Sequence, residues 1–322
     1  MVKKIAILTS GGDAPGMNAA VRVCIRAGLY YGKEMYVIYD GYKGLVEGNI
    51  HQVNKEFTSD IINRGGTLIG SARLPEFANL DVQKKALQQL RDFEIDCLIG
   101  IGGDGTYKGL LALSKLGMRV IGIPGTIDND VASSEYTIGF MTALNTICEC
   151  VDKIKDTSSS HQRCSVIEVM GRHCGDLAIF SGIAEAAELT ISYDHQLKPE
   201  EIYKKLRRLK SQKKNHAIVI VSENLLDVNQ LAKDIQEQTG FETKTEILGR
   251  LQRGGSPCAF DRILASRLGS RAIQLCLEDE PETVGRIVGM YHGGVADYDI
   301  EEALNMKRNP HKELVGLIDL LQ

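Results

Sequence analysis

The chain has 322 residues, with 38 Lys plus Arg against 42 Asp plus Glu, for a formal net charge of -4. At about 150 residues per domain this length suggests roughly two domains, and the slight acidity argues against a nucleic-acid partner. Hydrophobic residues make up 43%, yet no run approaches the roughly 18 apolar residues of a membrane span, so no membrane partner is expected.

The 33 glycines against 7 prolines point to tight turns and close backbone approach, not disorder. Lys3 and Lys4 precede the first apolar run and Asp13 soon follows it, so no secretory leader is expected. The 8 cysteines form no disulfide ladder. Cys24, Cys97 and Cys276 stand in apolar context, and Cys148 and Cys150 have no second pair near them for zinc. Reduced core thiols in the cytoplasm are the expectation.

In chain order, Lys3–Thr9 reads as a strand, Ser10–Gly16 as a glycine loop and Met17–Tyr31 as a helix, the first half of a βαβ unit. Met35–Tyr39 is the next strand, and Arg64-Gly65-Gly66-Thr67 is a turn beside a strand end. Val82, Ala86 and Leu90 mark one face of a helix over 82–91. Ile95–Ile101 is almost wholly apolar, as an interior parallel strand must be. It ends in Gly102-Gly103-Asp104-Gly105-Thr106, and a helix follows through Leu116. Met118–Ile123 is a strand closing in Pro124–Asp130, and a long helix runs over Phe140–Lys155. Later strands are expected at Cys164–Met170, Leu189–Ser192, His216–Val221, Thr245–Leu248 and Thr283–Tyr291. Helices are expected at Leu177–Ala187, Pro199–Lys210, Val228–Thr239 and Phe260–Leu277. Repeated strands ending in Gly/Asp loops imply doubly wound α/β sheets with ligands at the C-terminal strand ends. The domain border falls near residue 138.

The loops carry the chemistry. Glycines at 102, 103 and 105 let backbone amides approach an oxyanion. Asp104 among them would repel phosphate unless a cation lies between, so it reads as a magnesium ligand through water; a turn or helix cap is the other reading. Gly11-Gly12-Asp13 is a second phosphate-type loop without a Walker A lysine or a dinucleotide spacing. Asp128 and Asp130 beside Thr126 suit a base and a second carboxylate for transfer to a hydroxyl. Asp-Asn-Asp also suits a plain turn, and paired carboxylates also occur in glycoside hydrolysis, which needs no phosphate loops. Arg73, Arg163, Arg172, Lys244, Arg250 and Arg253 stand at strand or loop ends, where phosphate clamps are made. Together these features read as phosphoryl transfer.

Five motifs follow in order: Gly11-Gly12-Asp13-Ala14-Pro15-Gly16-Met17-Asn18, Gly102–Thr106, Pro124–Asp130, Met170-Gly171-Arg172 and Gln252-Arg253-Gly254-Gly255-Ser256-Pro257. From the first strand to about residue 310 the chain resembles the ATP-dependent 6-phosphofructokinases of bacterial type. The resemblance implies two doubly wound three-layer αβα domains, with parallel or mostly parallel sheets and an active site in the cleft between them. The ATP-binding domain would be 1–138 plus about 255–305, and the fructose 6-phosphate domain 139–254 plus about 306–322. It implies transfer of the γ-phosphoryl of MgATP to the 1-hydroxyl of fructose 6-phosphate. Asp128 would be the base, with Thr126, Asp130 and Arg172 lining the transfer site and Asp104 holding magnesium. Gly12, Arg73, Leu74 and Gly103–Thr106 would contact ATP. Met170, Gly171, Arg172, Glu223, Arg250 and Arg253 would bind the sugar phosphate, joined by Arg163 and Lys244 from a neighbouring subunit of a homotetramer.

Relatives that use pyrophosphate typically carry Asp where this chain has Gly105 and Lys where it has Gly125, so the resemblance favours ATP. A pyrophosphate-dependent enzyme and a non-catalytic nucleotide-binding paralogue are the competing readings; lipid and NAD kinases share a Gly-Gly-Asp-Gly loop but not the later motifs. Lys244 and Arg250 depart from the family's usual Arg and His, replacing a planar fork and a titratable group. ADP and phosphoenolpyruvate effectors would act at Arg22, Arg26, Lys55, Lys155, Ala186, Glu188, Lys214 and His216. There Glu185-Ala186 replaces a Gly-Gly pair and Gln212 replaces a basic residue of some relatives, so effector binding is expected to be weakened by repulsion.

Overall fold

The computed structural model describes residues 2–278 and 285–322. Its elements in chain order begin β1 (Lys4–Thr9), α1 (Met17–Tyr30), β2 (Glu34–Ile38), α2 (Gly41–Glu47), β3 (Ile50–Val53), α3 (Leu80–Asp92), β4 (Cys97–Gly102) and α4 (Asp104–Lys115). They continue β5 (Arg119–Thr126), β6 (Ile138–Gly139), α5 (Phe140–His161), β7 (Arg163–Val169), α6 (Asp176–Ala184), β8 (Leu189–Ile191), α7 (Pro199–Ser211) and β9 (Ala217–Ser222). The remainder are α8 (Val228–Thr239), β10 (Glu242–Ile247), α9 (Ala259–Leu277), β11 (Gly285–Tyr291), β12 (Gly294–Asp299), α10 (Ile300–Asn305) and α11 (Lys312–Leu321).

Two compact units form. The first runs through Ile127 and adds Val131–Thr142 and Arg253–Arg308; the second holds Asp128–Asp130, Ala143–Gln252 and Asn309–Gln322. In the first unit the strand order is β12-β11-β5-β4-β1-β2-β3, with β6 on β5. Its interior is parallel: Ile5–Thr9 pair with Cys97–Ile101, and Cys97–Gly102 with Arg119–Pro124. Every residue of β4 is buried, so its apolar run is packed on both faces. β3 and β12 are antiparallel edges. Leu98, Leu110, Leu113 and Val120 belong to the core under this sheet.

In the second unit four strands run β10-β7-β9-β8, and all three pairings are parallel. β9 is buried throughout, while edge strand β10 carries Glu242, Lys244 and Glu246, charges that discourage further pairing. Val166, Val219, Leu206 and Ile235 pack its core. Both sheets are thus wound as expected.

Several boundaries differ from the sequence reading. α6 stops at Ala184, not Ala187, because Ala186 takes a left-handed φ of 46°. β10 starts at Glu242, so Lys244 lies inside an edge strand and not at a strand end. α5 extends to His161. The strand expected over Thr283–Tyr291 is β11 from Gly285; Thr283 and Val284 lie outside the described residues. Among the described residues no strand ends at the 64–67 turn, and α2, β3, β12, α10 and α11 had no counterpart in the sequence reading. None of the eight cysteines is joined in a disulfide, and burial pushes the Cys24 and Cys164 thiols up to about 12. Among the described residues no helix is long and apolar enough to cross a membrane.

Candidate active site

In the first unit the ends of β1 and β4 are tied into one floor with the starts of α2 and α4. Ser10 N donates to Ile101 O at 3.0 Å, and Thr106 Oγ1 donates to Ser10 O at 3.1 Å. Tyr42 OH donates to Thr106 O at 2.6 Å, and Ser71 Oγ to Gly11 O at 2.6 Å. Gly102 is required here: a Cβ would meet Thr106 Oγ1 and Ser10 O. Above this floor lies a cleft of about 400 Å³ lined by Gly11, Arg73, Leu74, Phe77, Gly105 and Thr106. Of these, Arg73, Leu74, Gly105 and Thr106 are ATP contacts expected from the sequence, and Gly11 and Phe77 are not. Tyr42 stacks on Phe77 with ring centroids 4.3 Å apart, giving the cleft an apolar wall that no motif announced.

Gly103 caps α4, so Asp104 is its first residue and Gly105 its second. The first amides of a helix lack intrahelical acceptors and face outward with the positive end of the dipole. A Cβ on Gly105 would meet nothing within 4 Å, whereas one on Gly125 would lie 3.0 Å from Ile101 Cγ2. The two glycines therefore differ: one opens on the cleft and the other faces the core. Among the described residues no group of three or more His, Cys, Asp or Glu is placed to hold a metal. One half-buried carboxylate beside an anion-accepting helix end suits magnesium that arrives with phosphate ligands and water. Arg253, expected on the sugar phosphate, belongs to this unit; its Nη1 donates to Asp13 O at 3.2 Å and its guanidinium lies against Gly12.

In the second unit Asp128 is buried, and Asn129 follows it with φ 52°. Arg172 (φ 56°) follows Gly171 (φ 128°) in a turn after β7. A Cβ on Gly171 would lie 2.6 Å from Cys174 O, so only glycine makes this turn. Glu223 Oε1 accepts from Arg172 N at 2.9 Å, which brings two expected sugar contacts together. Gln252, fully buried, accepts from Met170 N at 3.0 Å and donates to Gly249 O at 3.0 Å. It fixes the backbone at Met170 and beside Arg250, a role the quoted motif did not reveal. Arg163 and Lys244 converge on one carboxylate: Glu242 Oε1 is 2.9 Å from Arg163 Nε and 3.4 Å from Lys244 Nζ. Desolvation raises the Glu242 carboxyl, but the hydrogen bond and charge of Arg163, then Lys244, hold it below the usual range.

The expected effector residues fall into two groups. Arg26 Nε donates to Thr58 Oγ1 at 2.8 Å and Thr58 Oγ1 to Lys55 O at 2.6 Å, so Arg26 and Lys55 are neighbours in the first unit; Arg22 stands on α1 with Arg26. In the second unit Lys155 pairs with Glu185 at 2.5 Å, and Lys214 pairs with Glu188. Glu188 also accepts from Ile218 N at 2.5 Å. Ala186 lies between the two glutamates, and His216 precedes β9.

Glycine-lined strand ends that open on a helix N-terminus in a parallel sheet define a phosphate-binding α/β protein. The phosphofructokinase family model matches residues 4–276, and the chain belongs to that family. It is 51% identical over 322 residues to the ATP-dependent 6-phosphofructokinase of Photobacterium profundum, covering 100% of both chains. It is 50% identical, over the same coverage, to a protein of that name from Vibrio vulnificus. The structure of phosphofructokinase from Saccharomyces cerevisiae matches with TM-score 0.89 and 34% identity over 99% of this chain and 47% of that one. This chain thus spans about half the length of the yeast chain.

Proposed function

We propose that this chain is an ATP-dependent 6-phosphofructokinase, a glycolytic kinase of the cytoplasm. It transfers the γ-phosphoryl of MgATP to the 1-hydroxyl of fructose 6-phosphate, giving fructose 1,6-bisphosphate and ADP. The observation that carries this reading is 51% identity over the full length of a relative so named. The opening of Gly105 onto a nucleotide-sized cleft supports it.

The first unit takes the nucleotide. Gly12, Gly103, Gly105 and Thr106 offer backbone to its phosphates, Leu74 packs against it, and Arg73 offsets charge on the transferred group. Asp104 would hold magnesium through water, and the ion would supply positive charge to offset the negative charge developing during phosphoryl transfer. The proposed sugar-phosphate positions are Met170, Gly171, Arg172, Glu223 and Arg250 in the second unit and Arg253 in the first. Asp128 accepts the proton of the 1-hydroxyl, with Thr126 and Asp130 beside it. A sugar hydroxyl is a weak nucleophile, so an aligned base and in-line geometry matter most. In a homotetramer a neighbouring subunit supplies Arg163 and Lys244, which Glu242 holds side by side. ADP and phosphoenolpyruvate act at the Arg22, Arg26, Lys55, Lys155, Ala186, Glu188, Lys214 and His216 positions, weakly, because Glu185 is an internal anion for Lys155.

The test is a coupled assay with fructose 6-phosphate and magnesium, comparing ATP with pyrophosphate in wild type and Asp128→Ser. Activity with ATP alone, lost by several orders of magnitude in the variant, is the expected result. Activity with pyrophosphate transfers the reading to the pyrophosphate-dependent class. Inactivity with both donors leaves the non-catalytic nucleotide-binding paralogue.

A further inference from the structure

The turn that carries Arg172 also grips the loop that carries Asp128. Asp176 opens α6 and is 1% exposed. Its Oδ2 accepts from Asn129 Nδ2 at 2.8 Å and lies 3.5 Å from His311 Nε2. Cys174 Sγ donates to Asn129 O at 3.6 Å. The His311 ring meets Phe180 of α6 edge-on, with centroids 5.2 Å apart. Asn129 is therefore held twice from residues 174–176, once through its side chain and once through its carbonyl. It is also the single residue between Asp128 and Asp130. All these residues, with the segment Asn309–Gln322, belong to the second unit.

The Asn129 φ of 52° lies in the left-handed region, which Asn adopts more readily than other non-glycine residues, and the contacts to its side chain and carbonyl hold it there. Fixing the side chain and the carbonyl of Asn129 orients the peptides on either side, and with them the Cα–Cβ direction of Asp128. A base serves only when held near its productive geometry, and a misplacement of about 1 Å lowers the rate by about a hundredfold.

We propose that Asp176 is a positioning residue for phosphoryl transfer: it sets the Asp128 carboxylate through Asn129, and His311 of the C-terminal segment holds Asp176 in turn. The proposal rests on the reading of Asp128 as the base. Its alternative is that Asp176 is a carboxylate serving only the N-terminus of α6, as acidic residues of a first helical turn commonly do.

Steady-state kinetics at saturating MgATP with fructose 6-phosphate varied separate the two, using wild type, Asp176→Ala, Asp176→Asn and Asn129→Gly. A positioning role lowers kcat of Asp176→Ala by about tenfold to a hundredfold while KM for fructose 6-phosphate stays within about twofold. Asp176→Asn keeps an oxygen that accepts from Asn129 and recovers most of kcat. Asn129→Gly keeps the left-handed backbone, removes the side-chain anchor, and falls with Asp176→Ala. Thermal melting of each variant gives its folded fraction, and Asn129→Gly decides alone if Asp176→Ala does not fold. The proposal is overturned if Asn129→Gly retains wild-type kcat, if Asp176→Asn falls as far as Asp176→Ala, or if only KM moves. An inactive wild type overturns the proposed reaction and this proposal with it, whereas an active wild type with unaffected variants overturns this proposal alone.

Discussion

Cutting the Lys155–Glu185 pair from its two ends is expected to destabilise the protein unequally. Cys148 and Lys155 stand on α5, seven residues or about two turns apart on one face, and Glu185 reaches toward both from the end of α6. At the 2.5 Å separation of Lys155 Nζ and Glu185 Oε2, an effective dielectric of about 20 gives roughly 7 kcal/mol of attraction, largely offset by desolvation of both charges. The cost of a variant is decided by the group left behind. The Glu185 side chain is 7% exposed and that of Lys155 28%. Lys155→Ala strands a carboxylate almost out of water, for a loss of about 3–5 kcal/mol. Glu185→Ala leaves an ammonium on a flexible stem that turns to solvent, for about 1–2 kcal/mol. Lys155→Met with Glu185→Leu restores a neutral, packed pair and lies within about 1 kcal/mol of wild type. Urea unfolding at neutral pH, with midpoints compared at constant slope, measures all three. Cys148 supplies a second readout: burial, then the Glu185 hydrogen bond and charge, push its thiol up to about 12, so Glu185→Ala lowers it and speeds alkylation. Equal losses for Glu185→Ala and Lys155→Ala would refute this asymmetry.

Two further outcomes follow from the same geometry. Gly125→Ala puts a Cβ 3.0 Å from Ile101 Cγ2 and 3.4 Å from Met17 Cε and is expected to cost about 1–3 kcal/mol by overpacking. Gly105→Ala has open space, leaves melting within about 1 kcal/mol, and raises KM for ATP; equal melting losses in both would refute the distinction. Asp261 is fully buried. Burial raises its carboxyl from an ordinary value of 3.8, outweighing hydrogen bonds from the Thr142 side chain, the Gly139 and Thr142 amides and Cys258. The folded state then keeps a proton that the unfolded chain has released. This group's contribution is therefore greatest below the unfolded value and declines as pH rises through the folded one. The stability difference between wild type and Asp261→Asn, followed by urea midpoints from pH 4 to 7, is expected to shrink as pH rises, and a difference that grows would reverse the assignment.

The parts of the molecule legible in its sequence are those where one residue type admits one environment. The apolar runs of β4 and β9 allowed only buried parallel strands, and the glycine loops marked the strand ends that the cleft uses. Polar edges were not legible, unlike the apolar edge β8. β3 reads Ile-His-Gln-Val and β12 reads Gly-Val-Ala-Asp-Tyr-Asp, too short and too polar to stand out from loop. The charges of β10 hid its first three residues for the same reason. No glycine or proline marked the end of α6, because Ala186 itself takes the left-handed turn. Gln252 and Asp176 were missed as anchors because an isolated polar residue carries no signal of burial; their roles lie in partners 82 and 47 residues away.

Arg163, Lys244, Arg253, Lys155 and Lys214, all expected to take phosphate, already have internal oxygen partners, and burial sets how readily each exchanges them. Arg163, Lys244 and Glu242 have side chains 30%, 55% and 47% exposed. A pair so wetted contributes about 0–1 kcal/mol, so on the proposed reading a sugar phosphate would displace Glu242 at little cost and find the two cations already side by side. Arg253 gives up only a neutral carbonyl, that of Asp13, for a charged and therefore stronger acceptor. Lys155 and Lys214 differ, because Glu185 and Glu188 are each 7% exposed in their side chains. An anion that draws either lysine away leaves a carboxylate uncompensated and nearly dry, a penalty of several kcal/mol that comes off the effector's affinity. On the proposed reading the same types of charge would serve two ends: at the sugar-phosphate positions Glu242 would keep a clamp assembled, and at the effector positions Glu185 and Glu188 would compete with the ligand for its lysines.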